Sequence, residues 1–331
     1  MLFINGPPCS HGQGFFIDRG VAIKNIRVKS LLCAALAVIL CFCACAVPAV
    51  PFTEQRDDSG NVITQAPPAQ RIISLAPANT EIVYALGLED RLVGVTEFCN
   101  YPPDAENKAR VGGFSTVDIE KAVELRPDLV LASDIHSKSV TPQLQKMGFR
   151  VVSLYPKTVK GAINDITLTG NLAGAGKAAA ELTASLQKRV DAVTAIIGGL
   201  APGQRPRTLL MIWNDPLMVA GKSTLIDDII RLAGGTNIAA DISGFGSMNL
   251  ESMISADPQV IIVPTSMDNS SDPLWDFVTI DPRMSNTSAI KNGRVYKIEG
   301  DLVYRYSPRC IAALEQMASF LHPEFFAKPA Q

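Results

Sequence analysis

The chain has 331 residues, of which 47% are hydrophobic and 19% charged, and its formal net charge is −2. This composition excludes disorder over the bulk of the chain and leaves room for two domains with cores of their own. Near-neutral charge also excludes an electrostatic footprint for nucleic acid or for an anionic lipid surface.

Residues 1–46 read as a leader. Lys24, Arg27 and Lys29 precede an uncharged apolar run from Leu31 to Val47, the charge order that sends a segment into the translocon. A permanent anchor helix is the alternative, because about 17–20 apolar residues span a bilayer. Ala44 directly before Cys45 favours cleavage and makes Cys45 the expected lipidation site, although Phe42 stands where a lipobox prefers leucine. Ala44 and Ala46 also suit ordinary cleavage. Both routes export the protein, to the periplasm or the outer face of the cytoplasmic membrane. Residues 1–20 match no part of a signal and read as an over-extended translation start. Five of the seven cysteines lie in this leader, so the mature chain keeps Cys99 and Cys310 beside Cys45. Export permits a Cys99–Cys310 bond, and the lack of a CxxC pair excludes zinc-ribbon and thioredoxin chemistry.

Residues 47–70, rich in Pro, Asp, Gln and Ser, have the composition of a flexible tether. An α/β lobe is expected over 71–158. Its strands are Ile72–Leu75, Leu92–Val95, Asp128–Ala132 and Val151–Leu154. Its helices run from an Asn79 or Thr80 cap to Leu86, from Asp118 to Leu125, and from Pro142 to Met147. Short apolar strands alternating with helices predict a mainly parallel sheet.

Strand signals vanish over 159–206. Lys177 to Ile197 contains no Pro or Gly, and Leu182, Leu186, Val190, Val193 and Ile197 recur at steps of three and four. That spacing predicts one helix with one apolar stripe, roughly 30 Å long, able to link two domains as a strut. Alternation returns over 207–327, at Thr208–Trp213, Leu225–Leu232, Val260–Val263, Val295–Ile298 and Ile311–Leu321. The second half echoes the first. Asp118-Ile119-Glu120 lies nine residues before Pro127, and Asn249-Leu250-Glu251 lies nine before Pro258. Each half then enters a strand. The fold expected is α/β, two similar lobes joined by one long bridging helix.

Ser74 to Glu81 (SLAPANTE), Tyr101-Pro102-Pro103, Leu125 to Val130 (LRPDLV), Gly234 to Asn237 and Ser307-Pro308-Arg309 carry a family resemblance. From about Arg71 to Leu321 the chain resembles the cobalamin-binding proteins of ABC importers, in the helical-backbone group that also includes ferric-siderophore and haem binders. The resemblance implies an extracytoplasmic, non-enzymatic, monomeric solute-binding protein that delivers a metal chelate to a permease dimer with its ATPase. It implies that Glu120 and Glu251, one on each lobe, dock on that permease. A purely local reading is that each carboxylate stabilises the first turn of its helix, worth about 0.3–1 kcal/mol. The cargo is expected to be cobalamin or a related corrinoid, with ferric siderophore or haem as the alternative, and no resident cofactor or metal is expected.

Ligand-contacting positions follow from strand ends, where open α/β sheets leave crevices. They are Asn79, Phe98, Tyr101, Ser133, Asp134, His136, Tyr155, Trp213, Phe245, Asp301 and Arg305. Aromatic walls could come from Tyr101, Tyr155, Trp213, Phe245, Tyr304 and Tyr306, about half of which are expected to pack in the core instead. Asp301 and Arg305 match an aspartate and an arginine that contact cobalamin in the family, and a helix would place them on one face. The sequence departs from the cobalamin binders at Ser133-Asp134, where they carry tryptophan.

His136 is the one histidine near a predicted strand end. A lone imidazole does not make a free-metal site, and a solvent-exposed loop histidine is the expectation over an axial ligand. Gly221-Lys222-Ser223-Thr224 is similar to the end of a Walker A loop, but Pro216 stands where the motif needs glycine. A turn and helix cap is expected there. No HExxH or GxSxG supports the rival reading of an exported α/β enzyme.

Overall fold

The computed structural model describes residues 55–64, 66–265 and 272–326. The leader, with its signal segment and Cys45, lies outside the described residues, as does the start of the expected tether.

The folded body begins earlier than the expected Arg71. Strands β1 (Gln55–Arg56) and β2 (Val62–Ile63) form an antiparallel hairpin. Asp57 is buried in its turn, accepting from Ser59 N at 3.0 Å and Asn61 N at 2.9 Å through Oδ1, and from Ser153 N at 3.0 Å through Oδ2. Asp58 Oδ2 accepts from Tyr155 N at 2.6 Å. Polar residues therefore pin this segment rather than solvate it, which corrects the tether assignment for residues 55–64.

The N lobe follows in the expected order: β3 (Ile72–Ser74), α1 (Pro77–Ala85), β4 (Leu92–Val95), α2 (Ile119–Glu124), β5 (Leu129–Ala132), α3 (Val140–Lys146) and β6 (Val151–Ser153). The four strands are parallel in the order β4-β3-β5-β6. α1 opens at Pro77 rather than at an Asn79 or Thr80 cap, because proline's fixed φ suits the first helical position. That frees Thr80 Oγ1 to donate to Ser74 Oγ at 2.8 Å. α2 is capped as expected, Asp118 accepting from Lys121 N.

Two helices then cross to the second lobe, α4 (Val159–Leu172) and α5 (Gly176–Ile197). At 22 residues, α5 is roughly 33 Å long. Leu186, Val190, Val193 and Ile197 are buried and Leu182 partly so, which confirms the predicted stripe. Gly170 allows α4 and α5 to approach closely, since a Cβ there would clash with that of Ala179. One apolar core runs from Ile72, Ile82 and Leu131 in the N lobe, through α4 and α5, to Leu210, Ile229 and Leu314 in the C lobe. Separate clusters cover the outer face of each sheet.

The C lobe comprises β7 (Arg207–Asn214), β8 (Leu217–Ala220), α6 (Leu225–Leu232), β9 (Thr236–Asn237), β10 (Phe245–Ser247), α7 (Leu250–Ala256), β11 (Val260–Pro264), α8 (Pro273–Ile280), α9 (Ser288–Lys291), β12 (Val295–Ile298), α10 (Gly300–Tyr304) and α11 (Cys310–Leu321). β7, β11, β12 and β9 are parallel, whereas β8 runs antiparallel between β7 and β10. Thr224 caps α6 by accepting from Asp227 N at 3.1 Å, as the turn-and-cap reading expects.

The internal echo extends to the backbone. Arg126 and Asp257, each just before the matching proline, both have φ 47. Arg71 donates to the carbonyls of Leu125 and Arg126, and Arg207 to those of Ala256 and Asp257. In each lobe an arginine at the first strand thus closes the carboxyl end of the glutamate-bearing helix, satisfying carbonyls the helix leaves open. Cys99 and Cys310 are both buried free thiols, not bonded to each other. Burial pushes the Cys310 thiol up to about 12.

Candidate functional site

Segments that follow strands of the two sheets meet where the lobes join. Glu81, on the helix after β3, reaches Arg305 and Arg309, which follow β12. Arg309 binds it in the two-pronged manner, Nε to Oε2 at 2.8 Å and Nη2 to Oε1 at 2.7 Å, while Arg305 Nη1 donates to Oε1 at 3.2 Å. Glu81 is only 4% exposed, so losing both arginines would leave an uncompensated charge in a poorly solvated place, costing roughly 3–5 kcal/mol. The carboxylates hold the Arg309 guanidinium above its ordinary range, the Glu81 hydrogen bonds acting most strongly, while burial works in the opposite direction. The Arg309 guanidinium also lies 4.0 Å from the ring centre of Tyr101, which follows β4, a contact worth about 0.5–2 kcal/mol.

A second tie lies beside the bridging helices. Asp228, buried on α6, accepts from Val159 N at the start of α4 at 2.8 Å. Arg189 of α5 binds Glu315 of α11 through two hydrogen bonds of 2.8 and 2.6 Å. The strut is fastened at its flank as well as through its apolar stripe.

At this junction lies a cavity of about 510 Å³, bounded by Asn100, Tyr101, Glu299, Asp301, Arg309 and Gln316 among others. This falls in the range of small-molecule sites. Asp301 lines it, and its Oδ1 is 2.9 Å from Arg305 Nε, so the predicted four-residue pairing exists. Phe98 (60% exposed), Tyr101 (43%) and Trp213 (51%) stand at carboxyl edges, and Phe245 (48%) sits beside Ala220 on the neighbouring strand. Apolar rings left this open are the informative exception to burial. Tyr155 is half-buried, its hydroxyl 3.2 Å from Ser59 Oγ in the hairpin. Tyr304 and Tyr306 pack against the shared core, and burial raises both phenols. Of these aromatics, Tyr101, Trp213 and Phe245 are open and Tyr304 and Tyr306 pack against the core.

Three expected ligand contacts are corrected. Asn79 is buried and donates Nδ2 to the Ala132 carbonyl at 2.9 Å, holding the end of β5. Arg305 is 6% exposed and faces Glu81 and Asp301. His136 is neither a solvent-exposed histidine nor a free axial ligand, being 1% exposed with both nitrogens occupied. Its Nδ1 accepts from Ser133 N at 2.9 Å and its Nε2 lies 2.7 Å from the Phe114 carbonyl. That pattern requires the neutral ring with the proton on Nε2, and burial lowers its proton affinity. Ser133 and Asp134 form the turn that His136 braces. Asp134 is exposed there and raises the Tyr306 phenol across the gap.

Sequence reasoning passed over Glu81, Arg309 and Phe114 as site residues. Phe114 is half-buried with its ring edge-on to His136 at 5.5 Å. The internal echo carries the missing signal: Gly113-Phe114 precedes Glu120 by the interval at which Gly244-Phe245 precedes Glu251. Glu120 and Glu251 are exposed in the first turns of α2 and α7, behind the caps Asp118 and Asn249.

The sequence pattern of the periplasmic binding protein family matches residues 72–302. A cobalamin-binding protein of Halobacterium salinarum is 30% identical over 278 residues, covering 82% of this chain and 74% of that protein. The solved structure of the periplasmic vitamin B12 binding protein BtuF of Vibrio cholerae is 27% identical with a TM-score of 0.67, covering 77% of this chain and 98% of that one. The periplasmic heme binding protein HutB of Vibrio cholerae is 25% identical with a TM-score of 0.65, covering 77% and 99%.

Proposed function

The chain belongs to the periplasmic binding protein family, and on that premise we propose that it captures cobalamin or a related corrinoid between its lobes and hands it to an ABC permease. The observation that carries this reading is the cavity lined by Tyr101 of one lobe and Asp301 of the other, with the rings of Phe98 and Trp213 left open at strand ends of the two lobes. A flat macrocycle with amide arms needs broad apolar walls and a few fixed polar groups. Similarity to cobalamin and vitamin B12 binding proteins supports the same cargo. Glu120 and Glu251 are the docking contacts in this proposal, their exposure leaving them open to cationic groups of a permease. Cys45 is its lipid anchor.

Haem or a ferric siderophore is the second reading. It is favoured by Ser133-Asp134 and by similarity to HutB. Titration of the mature domain with cyanocobalamin, haemin and a ferric siderophore decides between them. Saturable binding of cyanocobalamin ahead of the other two is expected. Tight binding of haemin or siderophore without cyanocobalamin would overturn the corrinoid assignment.

A further inference from the structure

Three carboxylates meet two guanidiniums where the lobes join: Glu81, Glu299 and Asp301 against Arg305 and Arg309. One negative charge is in excess, and both guanidiniums are already engaged. Arg309 gives Nε and Nη2 to Glu81 and Nη1 to Glu299 at 3.2 Å, with its face against Tyr101. Arg305 is buried with Nη1 on Glu81. Asp301 is ion-paired with both guanidiniums, its buried Oδ1 2.9 Å from Arg305 Nε and its Oδ2 3.6 Å from Arg309 Nη2, whereas Glu299 keeps an exposed carboxylate at the cavity. A ligand arm entering the cavity beside Tyr101 meets carboxylates and, among the described residues lining it, no free cation.

We infer that Glu81 is a specificity-determining residue: by occupying Arg309 and Arg305 it makes the gap select chelates with neutral, hydrogen-donating arms and reject those with carboxylate arms. The inference rests on the chelate-binding reading above and sharpens it. A carboxylate arm is held strongly only by a guanidinium free to fork onto it. Here it would lie near Asp301 and Glu299, where repulsion is less screened than in bulk water. An amide arm meets no such repulsion and can donate to the exposed Glu299 carboxylate. Discrimination of this kind comes from the repulsive element as much as from the attractive one.

The test compares ligands that differ by one group. Cyanocobalamin is set against its monocarboxylate, in which one side-chain amide is hydrolysed, and haemin against its dimethyl ester, each titrated by absorbance at pH 7.5. The wild type is expected to bind the neutral member of a pair about tenfold more tightly. Glu81→Gln releases Arg309 and is expected to erase or invert that ratio. Glu299→Gln, a change at a more exposed carboxylate, removes the excess charge and is expected to reduce the ratio severalfold. Should Glu81→Gln fail to fold, Glu299→Gln carries the test alone. Equal affinities within each pair in the wild type would overturn the charge rule while leaving chelate binding intact. A ratio unchanged in every variant that folds would do the same. Failure of all four probes to bind the wild type would overturn this inference together with the functional reading beneath it.

Discussion

Phe114 and Phe245 occupy equivalent places in the two lobes, each following a glycine and each six residues before an exposed helix-start glutamate. Phe245 is open, whereas Phe114 is half-buried against His136. If both rings contribute to one binding surface, alanine at either position should weaken ligand binding by roughly three- to thirtyfold, about one aromatic contact. Parallel titrations of Phe114→Ala and Phe245→Ala check this. An unchanged affinity in Phe114→Ala would confine that ring to packing.

Glu120→Arg and Glu251→Arg should each abolish uptake in cells while leaving the dissociation constant of the purified domain within about twofold. Both side chains are exposed and lie away from the Glu81 cluster in sequence and element, and rim charges govern register and encounter more than folding. Radiolabelled uptake and solution titration form the paired measurement. Normal transport by the double variant would refute the docking assignment.

His136 predicts a pH dependence with a defined sign. Its folded-state proton affinity is lowered below the ordinary 6.5, with burial as the largest cause. The neutral ring therefore contributes stability that is present above pH 6.5 and is lost as the pH falls through that value toward the lowered one. Thermal melts from pH 8 to pH 5 should show the wild type losing stability over this window. His136→Gln should be less stable at pH 8 and flatter below it. Equal slopes in the two proteins would count against the assignment of Nδ1 as an acceptor.

Asp165 on α4 behaves in the opposite sense. It is buried beside Asp58 and Asp57 of the hairpin, and desolvation followed by the Asp58 charge holds its carboxyl well above the usual 3.8. Its neutral form contributes stability below pH 3.8 that is lost as the pH rises through the raised value. Asp165→Asn keeps the shape without that loss, so it should melt a few degrees higher than the wild type near neutrality, with the advantage shrinking toward pH 4. No difference at any pH would show that Asp58 and Asp165 do not contend for a proton.

Much of this architecture is legible in the chain itself. Ile72–Ser74, Leu129–Ala132 and Val260–Pro264 are buried apolar runs, and their reading needs no tertiary information. The stripe of α5 follows from spacing alone. β8 and β10 are not legible, because Leu217–Ala220 is short and sits behind a proline turn, and Phe245–Ser247 contains glycine. β8 pairs with β7 on one side and with β10 on the other, so β10 joins the sheet only through β8. The hairpin at Gln55–Ile63 looks like linker, since its order comes from Asp57 and Asp58 binding backbone far along the chain. Within the site, the open rings follow from strand ends. The polar residues resisted the same logic: Asn79, His136 and Arg305 belong to the expected loops, yet each satisfies partners from a segment many residues away. Only the fold identifies those partners.

The core that passes unbroken from Ile72 through Ile166 and Leu186 to Leu314 makes the two halves inseparable as folding units. Neither half expressed alone would cover the apolar flank it now shares, so each should aggregate rather than behave as a small soluble domain. Heating should yield one cooperative transition instead of two, and a cut in any surface loop should leave the pieces associated until that single transition is reached.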